Sequence, residues 1–170
     1  MTERIKPLSN EITRNEDGKL VLPLIPMRGL TIFPNMVLHF DIGREKSINA
    51  LEKAMINDQY IFLVTQKDET TDLPTREDFY EIGTIARIKQ MLKLPGDSIR
   101  VLVEGITRGR IDKMLIEVPY FKCTVEELEN REPKRKTAMV EALMRSVLAG
   151  FDEYLSLDHK MSLEKYASVA

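Results

Sequence analysis

The chain has 170 residues, 43% apolar and 31% charged, with a formal net charge of −2, one cysteine and no tryptophan. These values fit a globular protein of one domain, or one domain and an appendage, long enough to bury a core without a staple. They exclude an internal disulfide, fit a reducing compartment, and provide no field for steering onto nucleic acid or an anionic membrane. Six Phe and five Tyr leave few rings to stack on bases. No run approaches the ~18 apolar residues of a membrane span. Met1–Ile5 has no hydrophobic signal core, so the cytosol is the expected location and no membrane partner is expected.

Residues 1–19 are polar and weakly patterned; they are expected to form a mobile leader, or at most a small hairpin turned at Asp17-Gly18. Leu22–Met36 carries three prolines and a glycine within an apolar run, too interrupted for a helix. It reads as a strand, a constrained crossing around Arg28-Gly29, and a second strand beginning near Met36. Met36, Leu38, Phe40 and Ile42 then alternate with Val37, His39 and Asp41, the period of a half-buried strand. Ile48, Leu51 and Met55 follow at helical spacing. Tyr60–Thr65 is a continuous apolar run, expected to be a strand covered on both faces. Lys67–Asp78 reads as an exposed loop.

Ile82–Leu94 predicts a long strand with a basic edge at Arg87, Lys89 and Lys93; Pro95-Gly96-Asp97 turns it, and Ile99–Glu104 returns as a hairpin. Gly105 and Gly109 bracket a bend or bulge before Ile111. In Tyr120–Glu126, Phe121, Cys123 and Val125 alternate inward. From about 134 to 156, Val140, Leu143, Met144, Val147, Phe151, Tyr154 and Leu155 follow helical period, with Lys134-Arg135-Lys136 as solvated charge at the start. Ser162 is placed to cap a last helix, with no stop signal before Ala170, so a chain cut from something longer is expected. The pattern is α+β: a β-rich, partly open barrel with one embedded helix, followed by helices.

The search for chemistry is mostly negative. No Gly-x-x-x-x-Gly-Lys-Ser/Thr loop exists to hold ATP phosphates. His39 and His159 lack the ligand spacing of a zinc site, and no metal is expected. Ser162-Leu163-Glu164-Lys165 matches Ser-x-x-Lys without the companion segments of an acylating enzyme, so capping explains the serine better. Cys123 reads as a core thiol, and Glu126, Glu127 and Glu129 as solvated surface.

One feature resists this bland reading. Ile99, Val101 and Val103 should face inward, leaving Leu102 outside with Arg100 and Glu104. Met91 falls on one face of its strand and Leu92 and Leu94 on the other, beside Pro95. An apolar hairpin end beside the Phe33-Pro34 crossing is a candidate exposed patch; the alternative is core packing against the later helices. Such a patch marks a protein contact. About 300 Å² of apolar contact is worth roughly 7–8 kcal/mol gross, against about 4–15 kcal/mol for association. Binding by the patch alone is therefore weak, about micromolar or worse, which suits a tolerant sorter of unfolded segments. Met and Leu repack readily around varied partners.

Pro26-Met27-Arg28-Gly29…Pro34, Asp41-Ile42-Gly43-Arg44-Glu45-Lys46-Ser47, Ile61–Asp68, Ile82–Pro95 and Arg100–Gly105 together resemble, in order and at spacing, the amino-terminal domain of bacterial Lon proteases, with Met27 where Leu is usual. The resemblance implies a pseudo-barrel domain over residues 20–130 and the start of a helical lobe over 134–170. It implies part of a hexameric, ATP-dependent serine protease that degrades misfolded and regulatory proteins, this part engaging substrates and helping to assemble the ring. ATP, Mg and the peptidase would belong to modules outside this chain, which then has no catalytic residue and no cofactor of its own. The substrate-binding residues expected are Pro34, Met91, Leu92, Leu94, Pro95 and Leu102. Expected partners are unfolded or misfolded proteins, the rest of the protease chain and sibling subunits. Two rivals remain: an adaptor of the same fold that docks a dedicated protein or small ligand, and a hydrolase using Ser162 and Lys165.

Overall fold

The computed structural model describes residues 12–128 and 137–157, which fall into two units divided at Asn130/Arg131. The first unit holds six strands, β1 (Leu20–Met27), β2 (Val37–Ile42), β3 (Tyr60–Thr65), β4 (Ile82–Lys93), β5 (Ile99–Ile116) and β6 (Phe121–Glu127), with one helix, α1 (Glu45–Ile56), between β2 and β3. The α+β expectation is met. The second unit contributes α2 (Ala138–Leu157), whose first turn is capped by the Thr137 hydroxyl accepting the Val140 N–H at 3.3 Å. The tail positions Lys134–Lys136, His159, Ser162 and Lys165 lie outside the described residues.

The strand order is β2-β5-β4-β3-β1-β6, and β6 pairs again with β5, so β5, β4, β3, β1 and β6 close into a ring. Only β1 and β3 are parallel; the other pairs are antiparallel. Closure removes the edges that an open sheet would leave. Inside the ring Leu22, Leu24, Phe62, Val64, Ile85, Ile111, Cys123 and Val125 form one core. A second core lies on the other face, where Ile25, Ile61, Leu63, Ala86, Ile88, Val101 and Val103 meet Ala50, Leu51 and Ala54 of α1. Strand β3 feeds both, which is why Tyr60–Thr65 has no alternation.

The long strand β5 serves both cores through a bulge. Ile85 pairs with Thr107 and Ala86 with Gly105, leaving Ile106 as the extra residue. One inserted residue exchanges the two faces of a strand. Val101 and Val103 therefore face the helix, whereas Gly109 and Ile111 face the barrel interior. A Cβ at Gly109 would stand 2.5 Å from Val125 Cγ1 and 3.1 Å from Phe62, so only glycine fits. The bend expected between Gly105 and Gly109 is this bulge.

One expectation needs correction. A mobile leader through residue 19 does not hold for residues 12–19. Arg14 bridges Leu20, Val21 N–H donates to the Thr13 carbonyl at 2.9 Å, and Ile12 is buried in the barrel core. This is the small hairpin, turned through Gly18. Just past the Lys67–Asp78 loop, Phe79 is fully buried and edge-on to Phe121 with ring centroids 5.2 Å apart. A 3-10 turn at Arg76–Asp78 delivers it, stabilised by reciprocal Thr75–Asp78 hydrogen bonds.

Candidate functional site

Beyond the bulge the β4–β5 hairpin outruns the barrel, and β2 joins it to make a three-stranded wing. Across the wing His39 pairs with Leu102 and Leu102 with Gln90, while Asp41 pairs with Arg100 and Arg100 with Leu92. Paired residues share a face. One face carries Leu38, Phe40, Ile88, Met91, Val101 and Val103 into the helix-side core. The opposite face is open, and there His39, Gln90, Leu92, Arg100 and Leu102 line a shallow groove of about 320 Å³.

Ion pairs brace the groove. Arg100 grips Asp41 with two hydrogen bonds, Nε–Oδ1 at 2.7 Å and Nη2–Oδ2 at 2.8 Å. That fork holds the Asp41 carboxyl below, and the Arg100 guanidinium above, their ordinary pKa values. Lys89, the extra residue of a second bulge, this one in β4, reaches Glu104 at 2.5 Å. The long cationic side chains are thereby tied down, leaving Leu92, 54% exposed, and half-buried Leu102 as the apolar floor.

The structure sorts the six sequence-predicted residues. Leu92 and Leu102 come together in the groove. Met91 turns to the other face and packs on the helix-side core. Leu94, half-buried, and Pro95, exposed, sit at the hairpin tip outside the groove, where Leu94 N–H donates to the Ser98 carbonyl at 2.9 Å. Pro34 does not lie beside the tip. Asn35 N–H donates to the Gly105 carbonyl and Gly105 N–H to the Met36 carbonyl, each at 2.8 Å, so the crossing lies at the barrel end of β2. Ile42 pairs with Ile99 at the tip end. At ~3.4 Å per residue the two ends are about 20 Å apart.

His39, Gln90 and Arg100 are groove residues that an apolar criterion misses. The alternation of β2 and β5 placed His39 and Arg100 on this face. No single-strand pattern aligns them with Gln90, because the bulge at Lys89 sets that register.

Cys123 is fully buried, and burial pushes its thiol up to about 12, which makes it a core residue. Among the described residues no three His, Cys, Asp or Glu side chains are grouped to hold a metal. No described helix is long and apolar enough to cross a membrane.

A closed barrel extended by a braced open wing with an apolar floor defines a β-rich binding module. The profile of the ATP-dependent protease La (LON) substrate-binding domain matches residues 21–170, and the chain belongs to that family. It is 51% identical over 148 residues to a Lon protease of Desulforamulus reducens, covering 87% of this chain and 18% of that protein. It is 46% identical over 154 residues to Lon protease 1 of Bacillus subtilis, covering 91% and 20%. The chain thus spans about a fifth of the length of these curated relatives. Among solved structures, the N-terminal domain of a Mycobacterium avium complex Lon protease superposes with a TM-score of 0.59 at 18% identity, over 81% of this chain and 70% of that one. A Lon N-terminal domain protein from Xanthomonas campestris gives 0.56 at 13% identity, over 76% and 71%. At such identities the likeness is one of fold.

Proposed function

We propose that this domain recognises exposed apolar segments of unfolded, misfolded and selected regulatory proteins on behalf of a Lon-type, ATP-dependent serine protease. The observation that carries this reading is the groove: Leu92 and Leu102 face solvent on strands whose other face is fully committed to the core. Apolar side chains held on a rigid sheet, with neighbouring charges tied in pairs, present a surface that an extended chain can cover without burying an unpaired charge. The small contact area makes each encounter weak. Avidity would come from several copies in a ring of sibling subunits, a hexamer by family resemblance. ATP, Mg and peptide cleavage belong in this scheme to other modules of a cytoplasmic protease, and this chain binds without catalysing.

The test is capture of a permanently unfolded model protein by the 170-residue chain and by its Leu92→Ser and Leu102→Ser variants. The double variant is expected to lose at least about fivefold in affinity, roughly 1 kcal/mol, while keeping the parent melting temperature within a few degrees. Unchanged capture would remove the groove from the account. The polar groups His39 and Gln90 favour a second reading, a dedicated partner docked by an adaptor. Saturable binding of one folded protein, in preference to unfolded chains, would support it.

A further inference from the structure

Strand β2 stands at the end of the strand order and pairs only with β5, so its other edge is free of any described strand. The register shows which backbone groups that edge presents. Gly105 N–H donates to the Met36 carbonyl at 2.8 Å, which makes Met36 and Gly105 a hydrogen-bonded pair. In an antiparallel ladder such pairs alternate. Leu38, Phe40 and Ile42 therefore bond to β5, and the N–H and C=O groups of Val37, His39 and Asp41 turn outward. These outward groups have no hydrogen-bond partner among the described residues, and all three residues are exposed. A free edge templates a further strand and is usually guarded by proline, lysine or a bulge. Val37–Ile42 has none of these within its length. Its one acidic side chain, Asp41, is drawn towards β5 by Arg100.

A second cavity, of about 360 Å³, opens along this edge. Phe40, Asp41 and Ile42 all line it although their side chains alternate between the two faces, which places it beside the strand rather than on one face. Met27 of β1 and Leu30 of the crossing line it too. The charged side chains in its lining are already engaged: Arg28 with Asp72 at 2.6 Å, Asp41 with Arg100, and Arg44 with Gln66 Oε1 at 2.7 Å. Leu30 and Phe40 are only half-buried and give it apolar surface.

We propose that the outer edge of β2 takes an extended segment of an unfolded polypeptide as an added strand, its backbone bonded to Val37, His39 and Asp41 and an apolar side chain beside Phe40 entering the cavity against Leu30. A strand satisfies the alternate outward N–H and C=O groups together, whereas a helix has already spent its own backbone groups internally. Backbone bonds read no sequence, and the cavity asks only for an apolar side chain, so this mode tolerates many segments. The inference rests on the reading of this domain as a binder of unfolded chains, but places the contact on the strand edge rather than on the groove floor.

The experiment uses the 170-residue chain and the peptide acetyl-Lys-Thr-Leu-Thr-Phe-Thr-Lys-amide, with amide hydrogen exchange read by NMR. Without peptide, the amides of Leu38, Phe40 and Ile42 are expected to exchange slowly and those of Val37, His39 and Asp41 fast. At saturating peptide the second set is expected to slow about tenfold or more. Two further peptides carry an N-methyl group on the central threonine or on the leucine. One of them is expected to lose about tenfold or more in affinity and the other less than about threefold, because only alternate N–H groups of an added strand face β2. The peptide that loses affinity identifies the direction of the strand. His39→Pro removes one outward donor where an edge tolerates proline, and is expected to bind about tenfold more weakly than His39→Ala, with the Leu38 and Phe40 amides still slow in both. Protection of Val37, His39 and Asp41 that survives in the Leu92→Ser and Leu102→Ser double variant would support the edge and remove the groove floor. Shifts at Leu92 and Leu102 with unchanged exchange at Val37, His39 and Asp41 would keep the groove and overturn the edge. Equal affinities of the two N-methyl peptides would also overturn it. So would protection that grows with protein concentration in the absence of peptide, since the edge would then pair with a second copy of this chain.

Discussion

The two ends of the β4–β5 hairpin make one pair of strands into two different environments. At the barrel end, Ile85 and Gly109 are closed in by Phe62 and Val125, and the outer face shows the charged side chains of Arg108 and Arg110 to solvent. At the wing end, Val101 and Val103 still anchor one face, while Leu92 and Leu102 on the other face lie open. In the function proposed here, the two environments separate stability from recognition. Side chains that hold the fold converge in the barrel, and side chains free to meet a partner lie where the strands outrun their cover.

The largest test of that contrast is Phe62→Ala, which empties the centre of the barrel and is expected to cost about 3–5 kcal/mol in urea unfolding. A cost below about 1 kcal/mol would remove the barrel from its role as the stabilising core. Next comes Gly105→Ala at the seam. A Cβ there would collide with the Phe33 backbone carbonyl, which cannot swing aside as a side chain can. The expected loss is about 1–3 kcal/mol. The wing itself is tested by neighbours in sequence. Met91→Ser, on the core side, should cost about 1–3 kcal/mol. Leu92→Ser, on the open side, should stay within about 0.5 kcal/mol of the parent and lose binding instead. Similar stability costs for the two would mean that the wing has no free face.

The smallest effect concerns pH. Hydrogen bonds from Arg100 lower the folded-state pKa of Asp41. A carboxyl so shifted contributes stability above its unfolded pKa, about 3.9, and loses it as pH falls through the folded value. Asp41→Asn should therefore fall in melting temperature slightly less than the parent on acidification below about pH 4, and should show no new dependence on the alkaline side. The pair is exposed, so the difference should be small.

Much of the barrel is legible in the sequence because each strand states its environment locally. Leu38, Phe40 and Ile42 alternate, Tyr60–Thr65 does not, and Pro95-Gly96-Asp97 can only turn. What escapes such reading depends on partners distant in the chain. Closure of the ring rests on β5 pairing with β6, for which no local pattern speaks. The crossing at Pro34 falls at the wrong end of the wing for a shared patch because register, not composition, decides which end of β2 meets Gly105. Phe79 follows a charged loop whose Leu73 is exposed, and it lies next to exposed Tyr80, without a period to announce its burial. Arg44 is visible as part of a motif, but its partner Gln66, just past the end of β3, is not.

The most direct test of the central claim is a residue-resolved NMR titration of the 170-residue chain with one model protein, supplied once folded and once permanently unfolded. Shifts centred on His39, Gln90, Leu92, Arg100 and Leu102, seen with the unfolded form alone, are the predicted result. Absence of shifts with the unfolded form, or shifts that leave the wing untouched, would contradict it and move substrate recognition elsewhere.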